Sequence, residues 1–205
     1  MSNSVEVVHF YNIIYKRGGS KNGGTKMAKI AVLIGSPRRN GNTEILANAF
    51  IDGIDKQENS VEVISVIGKM VNGCTGCDFC YRDGSHNCIQ KDDMQDVYER
   101  LAGADVIVIA TPVYFYGVSS QLKCMIDRLH NPIRNTFRVK KLILLAVCAD
   151  EIPTVFDSLI TMYHSALSYF SLENGGVITV PGLSGKGDIL GHAALLEARK
   201  MGGKI

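Results

Sequence analysis

The chain has 205 residues, of which 46% are apolar and 20% charged, the balance of a globular protein with one domain of ordinary size. Its 22 basic and 20 acidic residues give a formal net charge of +2 without a basic block, which argues against a nucleic-acid partner. No apolar run approaches the roughly 20 residues that span a bilayer, and the amino terminus does not have the pattern of a signal peptide. We therefore expect a cytoplasmic protein with no membrane partner.

Residues 1–26 differ in composition from the rest of the chain. One apolar stretch is followed by Gly, Ser, Lys and Asn, which is the composition of a linker. Met27 directly precedes the first convincing strand. We expect residues 1–26 to be an upstream extension, or the product of a misplaced start codon, and residues 27–205 to form the domain.

From residue 29 onward, the chain alternates between short β-branched runs and apolar residues at helical spacing. This alternation predicts a three-layer α/β fold, because right-handed crossovers place helices on both faces of one parallel sheet. Asp92 or Asp93 is expected to cap the second helix. In chain order the predicted elements are strand 29–35, helix 43–54, strand 61–67, cysteine-rich loop 72–92, helix 94–101, strand 105–111, helix 119–130, strand 141–149, helix 153–170, strand 175–182 and helix 189–201.

The segment GSPRRNGNT (35–43) joins the first strand to the first helix, where doubly wound folds bind anions at a helix amino terminus. Ser36, Asn42 and Thr43 offer side-chain donors, and Arg38 adds charge and a forked donor. The segment has neither the glycine spacing of a dinucleotide fingerprint nor the GK[ST] ending of a nucleotide P-loop. It therefore predicts a monophosphate site. The alternative is an ordinary turn in which Thr43 only caps the helix.

The segment TPVYFYGVSSQLK (111–123) follows the third strand, which lies beside the first strand in a doubly wound sheet of order 2-1-3-4-5. Its aromatic residues offer flat apolar surface for a ring, and its glycine lets backbone donors approach the polar edge of that ring. An aromatic triplet alone is more often core packing, but beside a phosphate loop it favours a flavin. The loop at 148–151 is expected to form a third wall. The candidate ring contacts are Pro112, Val113, Tyr114, Phe115, Tyr116 and Gly117.

Four of the six cysteines share one loop in the spacing C-x2-C-x2-C-x7-C: Cys74, Cys77, Cys80 and Cys88. Cysteines at three-residue steps are typical of the bacterial ferredoxin run that holds a [4Fe–4S] cube. A structural zinc site usually draws on two separated C-x2-C pairs, although His86 can replace a thiolate. The spacing is also compatible with a dithiol redox pair and with a loop that binds no metal. Cys124 and Cys148 are expected to be small buried residues without a chemical role.

With these residues in view, the sequence resembles the NAD(P)H-dependent FMN reductase branch of the flavodoxin-like proteins and, within it, the iron-sulfur flavoproteins. The resemblance covers residue 28 to the carboxyl terminus. It implies a flavodoxin-like sheet, FMN phosphate contacts at Ser36, Arg38, Asn42 and Thr43, and ring contacts from Pro112 to Gly117. It also implies a [4Fe–4S] cluster on the four loop cysteines and a homo-oligomer.

The expected function is that of an FMN-dependent oxidoreductase that moves electrons from NAD(P)H or a ferredoxin-like protein to a small acceptor. No side chain is expected to act as a catalytic acid or base, because hydride transfer belongs to the flavin. Two different functions are also compatible with the sequence. One is a cluster-free NAD(P)H-dependent FMN or quinone reductase, and the second is an electron carrier with no substrate of its own.

Overall fold

The computed structural model describes residues 27–82 and 84–205. The predicted extension at residues 1–26 lies outside these described residues. In chain order the elements are β1 (Ala28–Ile34), α1 (Asn42–Ile51), β2 (Asn59–Ser65), α2 (Phe79–Arg82), α3 (Met94–Ala102), β3 (Val106–Pro112), α4 (Ser120–Arg128), a 3-10 helix (Pro132–Thr136), β4 (Lys141–Val147), α5 (Asp157–Phe170), β5 (Glu173–Val180) and α6 (Ala193–Gly202).

The five strands form one parallel sheet in the order β2-β1-β3-β4-β5, which confirms the predicted flavodoxin-like topology. Hydrogen bonding continues past the strand ends. The Gly35 N–H donates to the Ala110 carbonyl at 2.7 Å, and the Val113 N–H donates to the Val147 carbonyl at 2.8 Å. The loops after β1, β3 and β4 therefore leave the sheet side by side at its carboxyl edge.

Helices cover both faces of the sheet. On one face α1 and α6 bury residues that include Phe50 and Ala198 against the strands. On the other face α3, α4 and α5 contribute buried side chains such as Tyr98, Leu122 and Tyr163. Because both faces are covered, the central strands are apolar along their length, as the sequence predicted.

The carboxyl ends of α1 and α6 approach so closely that side chains are excluded from the contact. A Cβ on Gly53 would lie 1.9 Å from the Arg199 carbonyl oxygen, and a Cβ on Gly202 would lie 2.0 Å from the Phe50 carbonyl oxygen. Neither distance is possible for a real Cβ, so the backbone approach requires glycine at both positions.

The predicted elements differ from the observed ones mainly at their ends. The last helix begins at 193 rather than 189, because His192 caps it by accepting the Ala194 N–H on Nδ1 at 3.1 Å. Helix α5 likewise begins at 157 rather than 153, after a turn. The sequence did not predict α2, which has four residues and no buried side chain, so it carries no periodic signal. Among residues 27–82 and 84–205, no helix is long and apolar enough to span a membrane.

Candidate cofactor site

A cavity of about 380 Å³ opens at the carboxyl edge of the sheet, between the loops that follow β1, β3, β4 and β5. Its volume is within the range of pockets that hold small-molecule ligands. The structure brings the two predicted loops together at this cavity, although their contacts with a cofactor stay a prediction. Gly117 is the one predicted phosphate or ring contact that does not line this cavity. The predicted residues on its wall are Ser36, Arg38, Asn42, Thr43, Pro112, Val113, Tyr114, Phe115 and Tyr116.

The loop after β1 is folded by short-range hydrogen bonds. Ser36 is buried, and its hydroxyl accepts the Arg38 N–H at 3.2 Å, while the Arg38 side chain stays exposed on the cavity wall. Asn40 adopts a left-handed φ of 51°, and its N–H donates to the Glu44 carboxylate at 2.6 Å. These bonds fix the direction in which the chain enters α1.

The amino terminus of α1 faces the cavity through Gly41, Asn42 and Thr43. The Ile45 N–H makes the first intrahelical hydrogen bond, to the Gly41 carbonyl at 3.0 Å, so the amides before it lie outside the helical ladder. These amides and the helix dipole favour an anion. The helix begins after Gly41 with no side-chain cap, and Thr43 lies inside it. Thr43 therefore does not cap the helix, and its contact with a phosphate stays a prediction.

The Asn42 side chain tethers the loop after β5. Its Nδ2 donates to the Gly185 carbonyl at 2.7 Å, and its Oδ1 accepts the Gly187 N–H at 2.9 Å and the Ile189 N–H at 3.3 Å. The Asn42 side chain thus holds the loop after β5, and its donation to a phosphate stays a prediction. Its backbone amide remains at the helix end that faces the cavity.

The aromatic residues after β3 form a tight reverse turn at the edge of the cavity. The Tyr114 N–H donates to the Gly117 carbonyl at 2.9 Å, and the Gly117 N–H donates back to the Tyr114 carbonyl at 3.1 Å. Phe115 and Tyr116, between them, both adopt left-handed φ values, 46° and 64°, which side chains of this size disfavour. The Ser158 hydroxyl of α5 donates to the Tyr116 carbonyl and holds the turn in place.

These aromatic side chains are not core residues. The Phe115 side chain is 98% exposed, and Tyr114 and Tyr116 are 40% and 48% exposed. The turn therefore presents flat apolar surface at the cavity, and the interpretation of the triplet as core packing is wrong.

The loops after β4 and β5 complete the cavity. Cys148, Ala149 and Asp150 line it within the third wall that was expected at 148–151. The loop after β5 adds Ser184 and Lys186, which the sequence interpretation did not identify. A glycine-rich turn with a lysine directly after the last strand, GLSGKG, was the available signal. Lys186 places a second cation on the same cavity as Arg38, which suits a phosphate.

The four loop cysteines form a second group of reactive side chains. Cys74 and Cys77 are exposed, and Cys80 and Cys88 are half-buried. Burial raises the pKa of the Cys80 thiol. Hydrogen bonds from the backbone of Phe79 and the Thr75 side chain lower the pKa of Cys77. In the part of the chain that the structure describes, no three His, Cys, Asp or Glu side chains are grouped to hold a metal ion.

The two remaining cysteines lie next to the candidate sites. Cys148 is buried, as expected, but its position is on the cavity wall. Cys124 is half-buried rather than buried, and its Sγ lies 3.9 Å from the position that a Cβ on Gly73 would occupy. Helix α4 is thus in contact with the beginning of the cysteine loop.

Comparison with known proteins gives relatives of two kinds. An iron-sulfur flavoprotein of Methanocaldococcus jannaschii is 37% identical over 112 residues, which is 55% of this chain and 56% of that protein. A Bacillus subtilis protein named as an NAD(P)H-dependent FMN-containing oxidoreductase is 27% identical over 84% of this chain and 96% of its own. The chain spans about half the length of the iron-sulfur flavoproteins it matches.

Solved structures agree with the sequence relatives. The Trp repressor binding protein of Bacillus subtilis superposes with a TM-score of 0.62 and 26% identity, over 84% of this chain and 96% of that one. The sequence pattern of the NADPH-dependent FMN reductases matches residues 28–167, which include β1 to β4 and most of α5. The chain belongs to the NADPH-dependent FMN reductase family.

Proposed function

We propose that the protein is an FMN-dependent oxidoreductase that takes electrons from NAD(P)H or a ferredoxin-like protein and passes them to a small acceptor. The observation that carries the proposal is one cavity on which a helix amino terminus, two cations and an aromatic turn converge. Family membership supports FMN and a nicotinamide donor. The family resemblance also favours a homo-oligomer.

The cavity residues fit FMN by their chemistry. The free amides of α1, with Arg38 and Lys186, offer N–H donors and positive charge to a phosphate. The exposed rings of Tyr114, Phe115 and Tyr116 offer a flat apolar surface to an isoalloxazine ring. When bound, FMN accepts a hydride and releases electrons one at a time. The chain's own residues would hold the phosphate and orient the ring.

We further propose that Cys74, Cys77, Cys80 and Cys88 hold a [4Fe–4S] cluster. Four thiols in one loop are the donor set that such clusters use, and when bound the cluster carries single electrons. The position of all four cysteines in one loop supports this assignment, as do the names of the iron-sulfur flavoproteins that the chain matches. The lowered pKa of the Cys77 thiol favours its deprotonation for ligation.

The second candidate function is a cluster-free NAD(P)H-dependent FMN or quinone reductase. It is favoured by the Bacillus subtilis oxidoreductase, because this chain matches almost the whole of that protein. In that case the cysteine loop is structural or binds zinc.

Anaerobic purification followed by iron, acid-labile sulfide and flavin analysis tests both candidates. About four iron, four sulfide and one FMN per chain would support the two-cofactor oxidoreductase. FMN without iron would leave the cluster-free reductase, and a chain that binds no FMN would reject both. Cys77→Ser should abolish iron binding while FMN stays bound. Steady turnover of NADH or NADPH with a quinone would exclude an electron carrier without a substrate of its own.

A further inference from the structure

Helix α4 connects the cofactor cavity to the cysteine loop. At its amino end, Ser119 caps the helix by accepting the Leu122 N–H, and its hydroxyl donates to the Gly35 carbonyl beside the first loop of the cavity. At its carboxyl end is Arg128, whose side chain is 2% exposed. An arginine this deeply buried requires partners, because an isolated charge is costly to remove from water.

The partners of Arg128 are the two ends of the cysteine loop. Its Nη1 donates to the Asp92 carboxylate oxygens at 2.5 and 2.7 Å, and to the Asn72 carbonyl at 3.4 Å. The Asn72 N–H in turn donates to the same carboxylate at 2.9 Å. The Asp92 side chain is 6% exposed, so the ion pair is buried, whereas Asn72 itself is exposed. One guanidinium thus joins the residues that begin and end the loop.

Two further contacts hold the loop in the same place. The Met70 N–H donates to the Asp93 carboxylate at 2.7 Å, and the Asp93 N–H donates to the Met70 carbonyl at 3.1 Å. Tyr81, in α2, donates its hydroxyl to the His130 carbonyl at 3.0 Å, just beyond α4. The cysteine loop is therefore fixed to the carboxyl end of α4 at its base and near its middle.

The guanidinium also retains a free donor. Among the described residues, the Arg128 Nε is buried and has no hydrogen-bond partner. Burial lowers the pKa of the guanidinium, but the hydrogen bond to Asp92 and the nearby charge of Cys88 raise it above its usual value.

We propose that Arg128 is a positioning residue for the cysteine loop. By joining Asn72 to Asp92, it holds Cys74 and Cys88, which lie just inside these two residues, at a fixed separation at one end of α4. The proposal rests on the proposed function in one respect, because the role of that separation is to let four thiolates bind one cluster.

The chain offers a matched control on the same helix. Lys123 and Asp127 form an ion pair at 2.6 Å, but their side chains are 48% and 44% exposed. Exposed pairs of this kind contribute little to stability, whereas removing one partner of a buried pair leaves the other charge unpaired. Lys123→Met and Arg128→Met therefore remove the same charge from one helix in opposite environments.

The experiment uses the full chain as wild type, Arg128→Met, Arg128→Lys and Lys123→Met. Amide hydrogen exchange is measured on iron-free FMN-bound protein, and iron and sulfide are measured after anaerobic reconstitution. In Arg128→Met we expect residues 72–92 to exchange about tenfold faster while the strands are unchanged, and iron to fall below about half of wild type. Arg128→Lys, which keeps the charge without the fork, should recover part of both losses. Lys123→Met should match wild type.

The proposal would be overturned if residues 72–92 of Arg128→Met exchanged at the wild-type rate. It would also be overturned if the faster exchange extended equally over the sheet. If Arg128→Met does not fold, Arg128→Lys is compared with Lys123→Met instead. Faster exchange of residues 72–92 in Arg128→Lys alone would then support the proposal. A wild-type chain that binds no iron would reject the cluster in the proposed function. The exchange comparison would then still decide whether Arg128 holds the loop.

Discussion

Replacing Phe115 with glycine should stabilise the FMN-free protein while weakening its affinity for FMN. Phe115 has a φ of 46°, and a left-handed conformation costs a non-glycine residue about 1–2 kcal/mol. Glycine removes that cost but adds about 0.5–1 kcal/mol of unfolded-state entropy. The side chain is 98% exposed, so its removal sacrifices almost no burial. The net expectation is a gain of about 0.5–1 kcal/mol, or a rise in Tm of about 1–4 °C.

The same substitution removes a ring from the cavity wall. If Phe115 contacts the isoalloxazine ring, losing an aromatic contact of about 1 kcal/mol weakens FMN binding about fivefold. Thermal unfolding of the FMN-free chain and a titration of FMN fluorescence measure the two effects separately. Ser171→Gly is the matched control, because Ser171 has a φ of 53° at the carboxyl end of α5. It should raise Tm and leave FMN affinity unchanged.

The two results refute different parts of the reasoning. A lower Tm for Phe115→Gly would mean that the turn is not strained and that the exposed ring stabilises the fold. An unchanged FMN affinity would remove Phe115 from the cofactor site and leave the ring contacts to its neighbours.

Three further outcomes are expected. Gly53→Ala should destabilise the chain by about 1–3 kcal/mol in thermal unfolding because its Cβ would overlap α6, whereas Gly84→Ala, with nothing within 4 Å, should not. Lys186→Met should weaken FMN binding about tenfold in a fluorescence titration, and the loss should shrink as salt is added. Burial raises the pKa of Asp92, but hydrogen bonds from Asn72 and Arg128 outweigh it, so the net pKa is lowered. The Asp92 carboxylate therefore stabilises the fold fully above the ordinary carboxyl pKa. Exchange protection of the Asn72 amide should therefore be lost as pH falls below about 4 through that lowered pKa.

The fold was predictable because its signal is local and repeated. Strands covered on both faces are apolar throughout, and β1 and β3 show this pattern in their sequence as well as in their burial. The helix starts were harder to place. They depend on caps such as His192, whose ring acts through a single hydrogen bond that leaves no periodic trace.

The cavity was only partly predictable, for a related reason. The loops after β1 and β3 carry distinctive residues directly after strands, so their position and chemistry could be inferred together. The loop after β5 reaches the cavity through Asn42, which bonds to Gly185 from 143 positions away in sequence. Sequence spacing alone does not show that contact. The role of Arg128 could not be predicted for the same reason. A charged residue at a helix end is usually exposed, and its partner Asp92 lies 36 residues earlier.

Backbone strain supports the assignment of function to the aromatic turn. Among the described residues, those other than glycine with left-handed φ values are Asn40, Asp78, His86, Phe115, Tyr116 and Ser171. Ser171 ends α5, where this conformation is an ordinary helix cap. The other five lie in the loop after β1, the aromatic turn or the cysteine loop. Asn, Asp and His adopt this conformation more readily than other side chains, so the strain lies mainly at Phe115 and Tyr116, where the Ser158 hydroxyl holds the turn. The chain thus departs from its local preferences in the aromatic turn, where the FMN site is proposed, and it follows them through the sheet that supports this turn.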